Sequence, residues 1–524
     1  MTAINTNSLS SLIKGFDNAD DSKEIRAKSD KNIYVKNKSA RIFKSETSRM
    51  RHQSNARNLV LNSLINSGVK KSDAENIINN NAIDNKKITV GDVKKIIKEA
   101  QLKIVKNSPH FLSEKPSNSF AAAVPKFWPS ASEPGKFGML VLNRDTGSPQ
   151  LTIVTSDEML KHASNIIEQQ AKNESIKNTI LAEVANHSSS KFNSKFEEFE
   201  NRMETINKHL TTDFKEEAHL NHLKGRDRFR DILSNKSTNI DPLLNANQIT
   251  VAGKKVGIAT QFPLKKSIGI QLREMLERKS PALGVLTNTK EMNNSALSEK
   301  SLDWYFRDNI SVDGIKSESI KNGVVRLGEM VNKKGELVSI DAQLYKMTIT
   351  DTTTKKSHTV DVMHVINWPD QTAVSVEIMD KMGGLMNSFA EKSGLDSENS
   401  FVHCRAGVGR TLQLMAGMLT GLGGTLPAHV SAEEMLADFR FSRNGVMGQT
   451  SDQRRMLVDS FEQKGRPILR EDPVKELDED IYEELDIYQE LDIYEELDIY
   501  EELDIYETND GYDEKNNSNH NIYV

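Results

Sequence analysis

The run His403-Cys404-Arg405-Ala406-Gly407-Val408-Gly409-Arg410-Thr411 contains the only cysteine of a 524-residue chain. An arginine follows that cysteine six positions later, with alanine and two glycines between. Small residues let consecutive backbone N–H groups turn inward, which makes an anion nest at the start of a helix. The same field lowers the pKa of a thiol placed in it, so Cys404 forms a nucleophilic thiolate near neutral pH. The planar fork of Arg410 can hold two phosphate oxygens at once, which lysine cannot match. A loop of this kind binds a phosphate monoester and attacks its phosphorus.

The flanking sequence supplies the elements such a loop needs. Ser400, Phe401 and Val402 form a strand-like apolar run before it, and LQLMAGML continues helix-like after it. Displacement at phosphorus also requires a proton for the leaving oxygen. In Asn367-Trp368-Pro369-Asp370-Gln371 a carboxylate sits on a loop that follows the β-like stretch HTVDVMHVINW. Alone, Trp-Pro-Asp reads as a turn with a solvated aspartate. Beside the Cys404 loop, Asp370 is the candidate acid.

Together these two loops resemble the cysteine-dependent protein tyrosine phosphatases, and more closely the YopH-like effectors of type III secretion. NWPDQTAVS, HCRAGVGRT, Arg228-Phe229-Arg230-Asp231-Ile232, Leu244-Asn245-Ala246-Asn247 and Arg443-Asn444-Gly445 with Gln449 and Gln453 carry the resemblance, which spans about residues 190–468. It implies that Cys404 forms a phosphocysteine, that Arg410 binds phosphate, and that Asp370 acts first as acid and then as base. Gln449 and Gln453 would position the hydrolytic water, Thr411 would assist thiolate departure, and Glu291 would orient Arg410. Phe229 would stack on the phosphotyrosine ring, and Asp231, Gln371 and the loop residues Arg405, Ala406, Gly407, Val408 and Gly409 would line the substrate site. His403 either tunes the thiol through the backbone network or is a satisfied structural histidine. The family needs no metal and no cofactor, and phosphotyrosine proteins of a host cell are the implied partners. Phe229 and the RFRDI context argue against a dual-specificity or lipid phosphatase.

The implied fold is α/β, a mixed twisted sheet flanked by helices, with the catalytic loop between a central strand and its following helix. Residues 42–106 carry apolar residues at helical spacing (Leu59, Leu61, Leu64, Ile65, Ile77, Ile78, Val93, Ile96, Ile97) and read as a three-helix module. Ser72 and Thr89 are its expected caps; its pattern ITVGDVKKIIKEA loosely resembles the docking domain of the same effectors, which implies chaperone or substrate docking. Residues 1–41, rich in Ser, Asn and Lys, read as disordered, and the resemblance to type III effectors implies a secretion or targeting segment there. Six of the 13 prolines fall between Pro109 and Pro149. Residues 107–155 therefore read as a linker with one short hairpin, which lets the flanking modules move independently. Residues 156–189 form a helical connector and 190–468 the phosphatase domain.

No apolar run approaches the roughly 20 residues of a membrane helix. The first thirty residues lack the apolar stretch of a Sec signal peptide. A single cysteine excludes an internal disulfide framework and any multi-cysteine zinc site. The net charge of −6 hides a split: Glu471–Val524 holds 21 acidic residues and 2 lysines (−19), leaving +13 on the rest. A basic body suits acidic partners, nucleic acid among them. The phosphatase resemblance instead assigns phosphorylated proteins and no nucleic acid.

Residues 469–524 form an acidic tail that repeats ELDIYE, with Tyr482, Tyr488, Tyr494, Tyr500, Tyr506 and Tyr512 spaced six apart. That period fits neither helix nor strand, and the tail is expected to be disordered. Ile-Tyr-Glu-Glu-Leu resembles both Src-type kinase substrates and SH2 ligands. The first five of these tyrosines are the candidates for host phosphorylation. An adaptor whose tail recruits SH2 proteins, with the phosphatase regulating that tail, is the alternative reading.

Overall fold

The computed structural model describes residues 3–5, 9–16, 18–27, 32–35, 46–81, 88–116, 124–142, 148–187, 192–294, 302–331 and 335–470. The repeat tail and its tyrosines lie outside them.

In the N-terminal half the order is β1 (Ala3–Asn5), α1 (Leu9–Phe16), β2 (Ile25–Ala27), β3 (Asn32–Val35), α2 (Glu46–Asn66), α3 (Lys71–Asn81), α4 (Val90–Asn107), β4 (Lys126–Pro129), β5 (Phe137–Leu142), β6 (Pro149–Val154), α5 (Ser156–His162) and α6 (Ser164–His187). Thr89 caps α4 in a reciprocal box with Asp92, whereas Ser72 lies inside α3.

Three expectations need correction here. The 1–41 segment supplies strands and a helix whose Leu9, Leu12, Phe16 and Ile25 enter the same core as α2–α4. Its apolar residues are few, but α1 concentrates them on one face, which composition averages away. The proline-rich stretch is likewise built into the fold. β4, β5 and β6 form a three-stranded sheet whose Phe127, Phe137, Met139 and Val154 complete that core. The modules are also tied together. Helix α6 places Ile166 and Ile167 in the N-terminal core and Ile176, Ile180 and Val184 in the next one, so a single helix serves both.

The second half continues with α7 (Lys195–Thr211), α8 (Lys215–Ala218), β7 (Ala246–Val251), β8 (Lys254–Thr260), α9 (Ile268–Glu277), β9 (Ala282–Val285), α10 (Thr289–Asn294), β10 (Ile310–Val312), β11 (Ile315–Val331), β12 (Leu337–Asp351), β13 (Ser357–Val365), α11 (Val376–Ser393), β14 (Phe401–His403), α12 (Gly409–Thr420), α13 (Ala432–Ser442) and α14 (Ser451–Gln463). The eight strands pair in the order β10-β11-β12-β13-β9-β14-β8-β7. Strands β13, β9, β14 and β8 run parallel, and the outer pairs are antiparallel.

This mixed sheet is covered on both faces, as parallel strands require. One core gathers Met379, Met382, Leu414, Met415, Met435 and Phe461 from α11–α14, and the other gathers Leu272, Met275, Tyr305 and Phe306. The three-residue β14 is fully buried between β9 and β8. Its carboxyl end is where the chain leaves the sheet for α12, the place where open α/β sheets bind ligands.

Candidate active site

Cys404 follows β14 directly and is 4% exposed. Its sulfur accepts hydrogen bonds from the Gly407 N–H at 3.2 Å and from Thr411 Oγ1 at 3.5 Å. Burial pushes the thiol pKa up, but the Arg410 charge, the Thr411 hydroxyl and the Gly407 and Val408 amides outweigh it, and the thiol sits below its ordinary value. Gly407 has φ +74°, and a Cβ there would lie 2.1 Å from the Thr260 carbonyl oxygen. No other residue fits that turn. A Cβ on Gly409 would strike the Gln453 amide at 2.8 Å.

Arg410, 1% exposed, lies in the first turn of α12. Its Nη1 and Nη2 donate to Glu291 Oε2 and Oε1 at 2.8 and 3.0 Å, a two-point clamp. Nη1 also reaches the Trp368 carbonyl at 3.3 Å, and Nη2 reaches Asp370 Oδ1 at 2.7 Å. Nε is buried and has no hydrogen-bond partner. The guanidinium thus keeps one donor that no protein group uses. Asp370 is exposed, with a side-chain accessibility of 46%.

Glu291 belongs to α10 and exchanges bonds with Asn288: the Asn288 N–H donates to Glu291 Oε2 (3.1 Å), and the Glu291 N–H donates to Asn288 Oδ1 (2.9 Å). Asn288 Nδ2 donates to the Trp368 carbonyl at 3.0 Å. One side chain therefore links the carboxylate behind Arg410 to the acid loop. The Asn-x-x-Glu spacing is a cap pattern visible in sequence, yet sequence reasoning passed over Asn288.

His403 is fully buried. Gln271 Nε2 donates to Tyr305 Oη at 2.6 Å, and Tyr305 Oη lies 2.7 Å from His403 Nε2. With the phenol donating to Nε2, Nδ1 carries the proton toward the Cys404 carbonyl at 3.3 Å. Burial lowers His403 to about 3, so the ring is neutral. Nothing in the sequence marks Gln271 or Tyr305, which reach it from α9 and the 302–306 segment.

Sequence reasoning also gave Arg443 no role. It is fully buried, donates to Asn247 Oδ1 at 2.6 Å, and reaches the Gly407 and Ala406 carbonyls at 3.4 Å each. Holding those carbonyls outward turns the loop N–H groups inward.

The remaining candidates are spread around the mouth. Gln453 is buried and completes the Thr450 capping box of α14 against Gly409, whereas Gln449 is exposed. Phe229 is half-buried, and the exposed Arg405 guanidinium stands 6.0 Å from its ring centre. Asp231 and Gln371 are exposed, and Gln371 has φ +54°. Ala406 is half-buried and Val408 buried in the loop itself. Among the described residues, no cluster of three or more His, Cys, Asp or Glu could hold a metal ion, and no helix is long and apolar enough to cross a membrane.

The family description "Protein-tyrosine phosphatase" matches residues 215–463. Tyrosine-protein phosphatase YopH of Yersinia pseudotuberculosis is 34% identical over 255 residues, 46% of this chain and 51% of that protein. Secreted effector protein SptP of Salmonella paratyphi A is 26% identical over 215 residues, 40% of this chain and 36% of that protein. Receptor-type tyrosine-protein phosphatase eta of Gallus gallus is 26% identical over 199 residues, 36% of this chain and 13% of that protein. The chain thus spans about half the length, or less, of these curated relatives. Residues 215–463 of this chain are a domain of the protein-tyrosine phosphatase family.

Proposed function

We propose that this protein hydrolyses phosphotyrosine in proteins through a phosphocysteine. The observation that carries this reading is the convergence on one buried sulfur of an inward loop amide, a hydroxyl and an arginine held by a carboxylate. The substrate phosphate enters between Cys404 and Arg410, takes the spare Nε donor and displaces Asp370 from Nη2. The thiolate attacks phosphorus, the bond to the phenolic oxygen breaks, and Asp370 gives that oxygen its proton. Water then attacks phosphorus while the Asp370 carboxylate takes its proton, the S–P bond breaks, and phosphate leaves. Gln453, against the loop glycine, suits the positioning of that water. Phe229 and Arg405 at the mouth suit an aromatic ring followed by acidic neighbours.

The kinship with YopH and the secreted effector SptP supports delivery into a host cell, with host phosphotyrosine proteins as substrates and a secretion chaperone on the N-terminal module. The tail repeat supports a second output, in which host Src-type kinases phosphorylate Tyr482, Tyr488, Tyr494, Tyr500 and Tyr506. Each phosphate adds about −1.5 to −2 charges and an anchor for an SH2 domain.

The test is hydrolysis of phosphotyrosine and phosphothreonine peptides by the full chain. Wild type is expected to turn over only the phosphotyrosine peptide, and Cys404→Ser neither. Equal rates on both peptides, or activity surviving in the serine variant, would defeat the proposal.

A further inference from the structure

The acid loop is anchored at two places with different neighbours. On the site side, the Trp368 carbonyl is held by Asn288 and Arg410. On the far side, Asn367 meets Asp341 of β12, just where the β11–β12 hairpin runs past the end of β13. The Asp341 N–H donates to Asn367 Oδ1 at 2.9 Å, and Asn367 Nδ2 donates to Asp341 Oδ2 at 3.1 Å. The Ile366 N–H donates to the Asp341 carbonyl at 3.0 Å. Ser339 Oγ stands 2.9 Å from both Asp341 carboxylate oxygens and fixes their orientation.

All three bonds between Asp341 and the chain at 366–367 fall just before the loop turns. Asn367 immediately precedes Trp368, and Asp370 is three residues on. Between these anchors and Asp370 lie Pro369, whose φ is fixed, and Trp368, which is fully buried. The angle at which the loop leaves β13 is therefore passed to Asp370 with little slack. Beyond Asp370, Gln371 takes a positive φ and Thr372 Oγ1 bonds back to the Pro369 carbonyl at 2.8 Å, closing the turn.

We propose that Asn367 and Asp341 are positioning residues for the general acid. Their mutual bonds hold the start of the loop so that the Asp370 carboxyl stands over Arg410. This rests on the reading of Asp370 as the acid given above. Neither residue touches the sulfur or the arginine, so losing them costs proton delivery and not phosphate binding. General-acid assistance is worth about 10²–10⁴-fold where the leaving group needs it. A tyrosyl leaving group, with an ordinary pKa of about 10, needs it. A dinitrophenyl leaving group departs as a stable anion and does not.

The experiment compares kcat/KM of the full chain on a phosphotyrosine peptide and on 2,4-dinitrophenyl phosphate, with a thermal melt of each variant; kcat/KM reports attack and leaving-group departure and not the later hydrolysis of the phosphocysteine. Asn367→Ala is expected to lower kcat/KM on the peptide about 10–100-fold, part of the whole acid effect. On the dinitrophenyl ester kcat/KM stays within about threefold. Asp341→Ala shows the same split to a smaller degree, because the backbone bonds at 341 survive. Asp341→Asn, which keeps one acceptor for Asn367, restores most of the peptide rate. The double alanine variant loses no more than Asn367→Ala.

Equal losses on both substrates, a fall in Tm without the split, or no loss at all would each overturn the proposal. Asp370→Asn serves as the reference. If it too shows no split, the assignment of the acid is what fails. If it splits and Asn367→Ala does not, only the role of the anchor fails.

Discussion

Two of the buried arginine–carboxylate clusters among the described residues are finished differently. In the first, Lys126 of β4 is 1% exposed and meets Glu274 of α9 at 3.2 Å. The other oxygen of Glu274 takes Arg278 Nε at 2.6 Å, and Arg278 Nη2 donates to the Pro109 carbonyl at 2.7 Å. Both carboxylate oxygens are used, and both cations tie the 109–126 stretch to the phosphatase domain. In the second, Glu291 holds Arg410 as tightly, but Arg410 keeps an unpartnered Nε, and its other carboxylate, Asp370, is about half exposed. A satisfied cluster holds the fold together. A cluster with a spare donor and one exposed partner is set to receive an anion.

That contrast is broken most severely at the second cluster. Arg410→Ala should lower kcat on phosphotyrosine peptides by about 10³–10⁵-fold, the range for an arginine that stabilises phosphoryl transfer. Its melting temperature should fall far less than activity does, because Glu291 keeps Asn288 and some solvent as partners.

Glu274→Gln should reverse the pattern. It takes from two buried cations the carboxylate they share, a loss of about 3–5 kcal/mol in denaturant unfolding. The kcat of the folded fraction should change little. If Glu274→Gln instead destroyed kcat while stability held, the two clusters would not differ as described.

Acid separates them more gently. His403 at about 3 and His364 at about 4 are kept neutral chiefly by burial, and His110 is also held well below its ordinary value. The unfolded chain protonates such rings near 6.5 while the folded one does not, so it binds more protons and stability falls with pH below that value. Each contributes a slope of up to about 1.4 kcal/mol per pH unit. Melting temperature measured between pH 7 and 5 should drop accordingly.

The smallest effect concerns the cap beneath Gln453. Thr450→Ala should cost about 1 kcal/mol of stability. A larger share of its loss should appear in the hydrolysis of the intermediate than in its formation, as burst kinetics would show.

Much of this site was legible because its chemistry is local. Cys404, Arg410 and the glycines between them are constrained within one turn of chain, so spacing alone declares the anion nest. The strand before and the helix after follow from apolar patterning, and β14 and α12 stand where that patterning put them. The positioning residues were not legible because the fold, not the spacing, brings them together. Gln271, Tyr305 and Asp341 come from three different segments, and each is an ordinary polar residue in its own neighbourhood; Arg443 and Asn247 stand in motifs that carried the resemblance, but their contact is made only by the fold.

The same limit explains the misreading of residues 1–41 and 107–155. Phe127, Phe137 and Leu12 look sparse in their own windows, yet the helices 46–107 give them a surface to complete. Proline content reported chain stiffness there, and stiffness serves a packed sheet as well as a linker.

The central claim is that Cys404 carries the phosphate. Rapid acid quench of the full chain with a phosphotyrosine peptide, followed by mass spectrometry of the Cys404 peptide, tests it most directly. The account predicts a phosphate on Cys404 within the first turnover, more of it in Gln453→Ala, and none in Cys404→Ser. Turnover that proceeds with no phosphate ever found on Cys404 would contradict it.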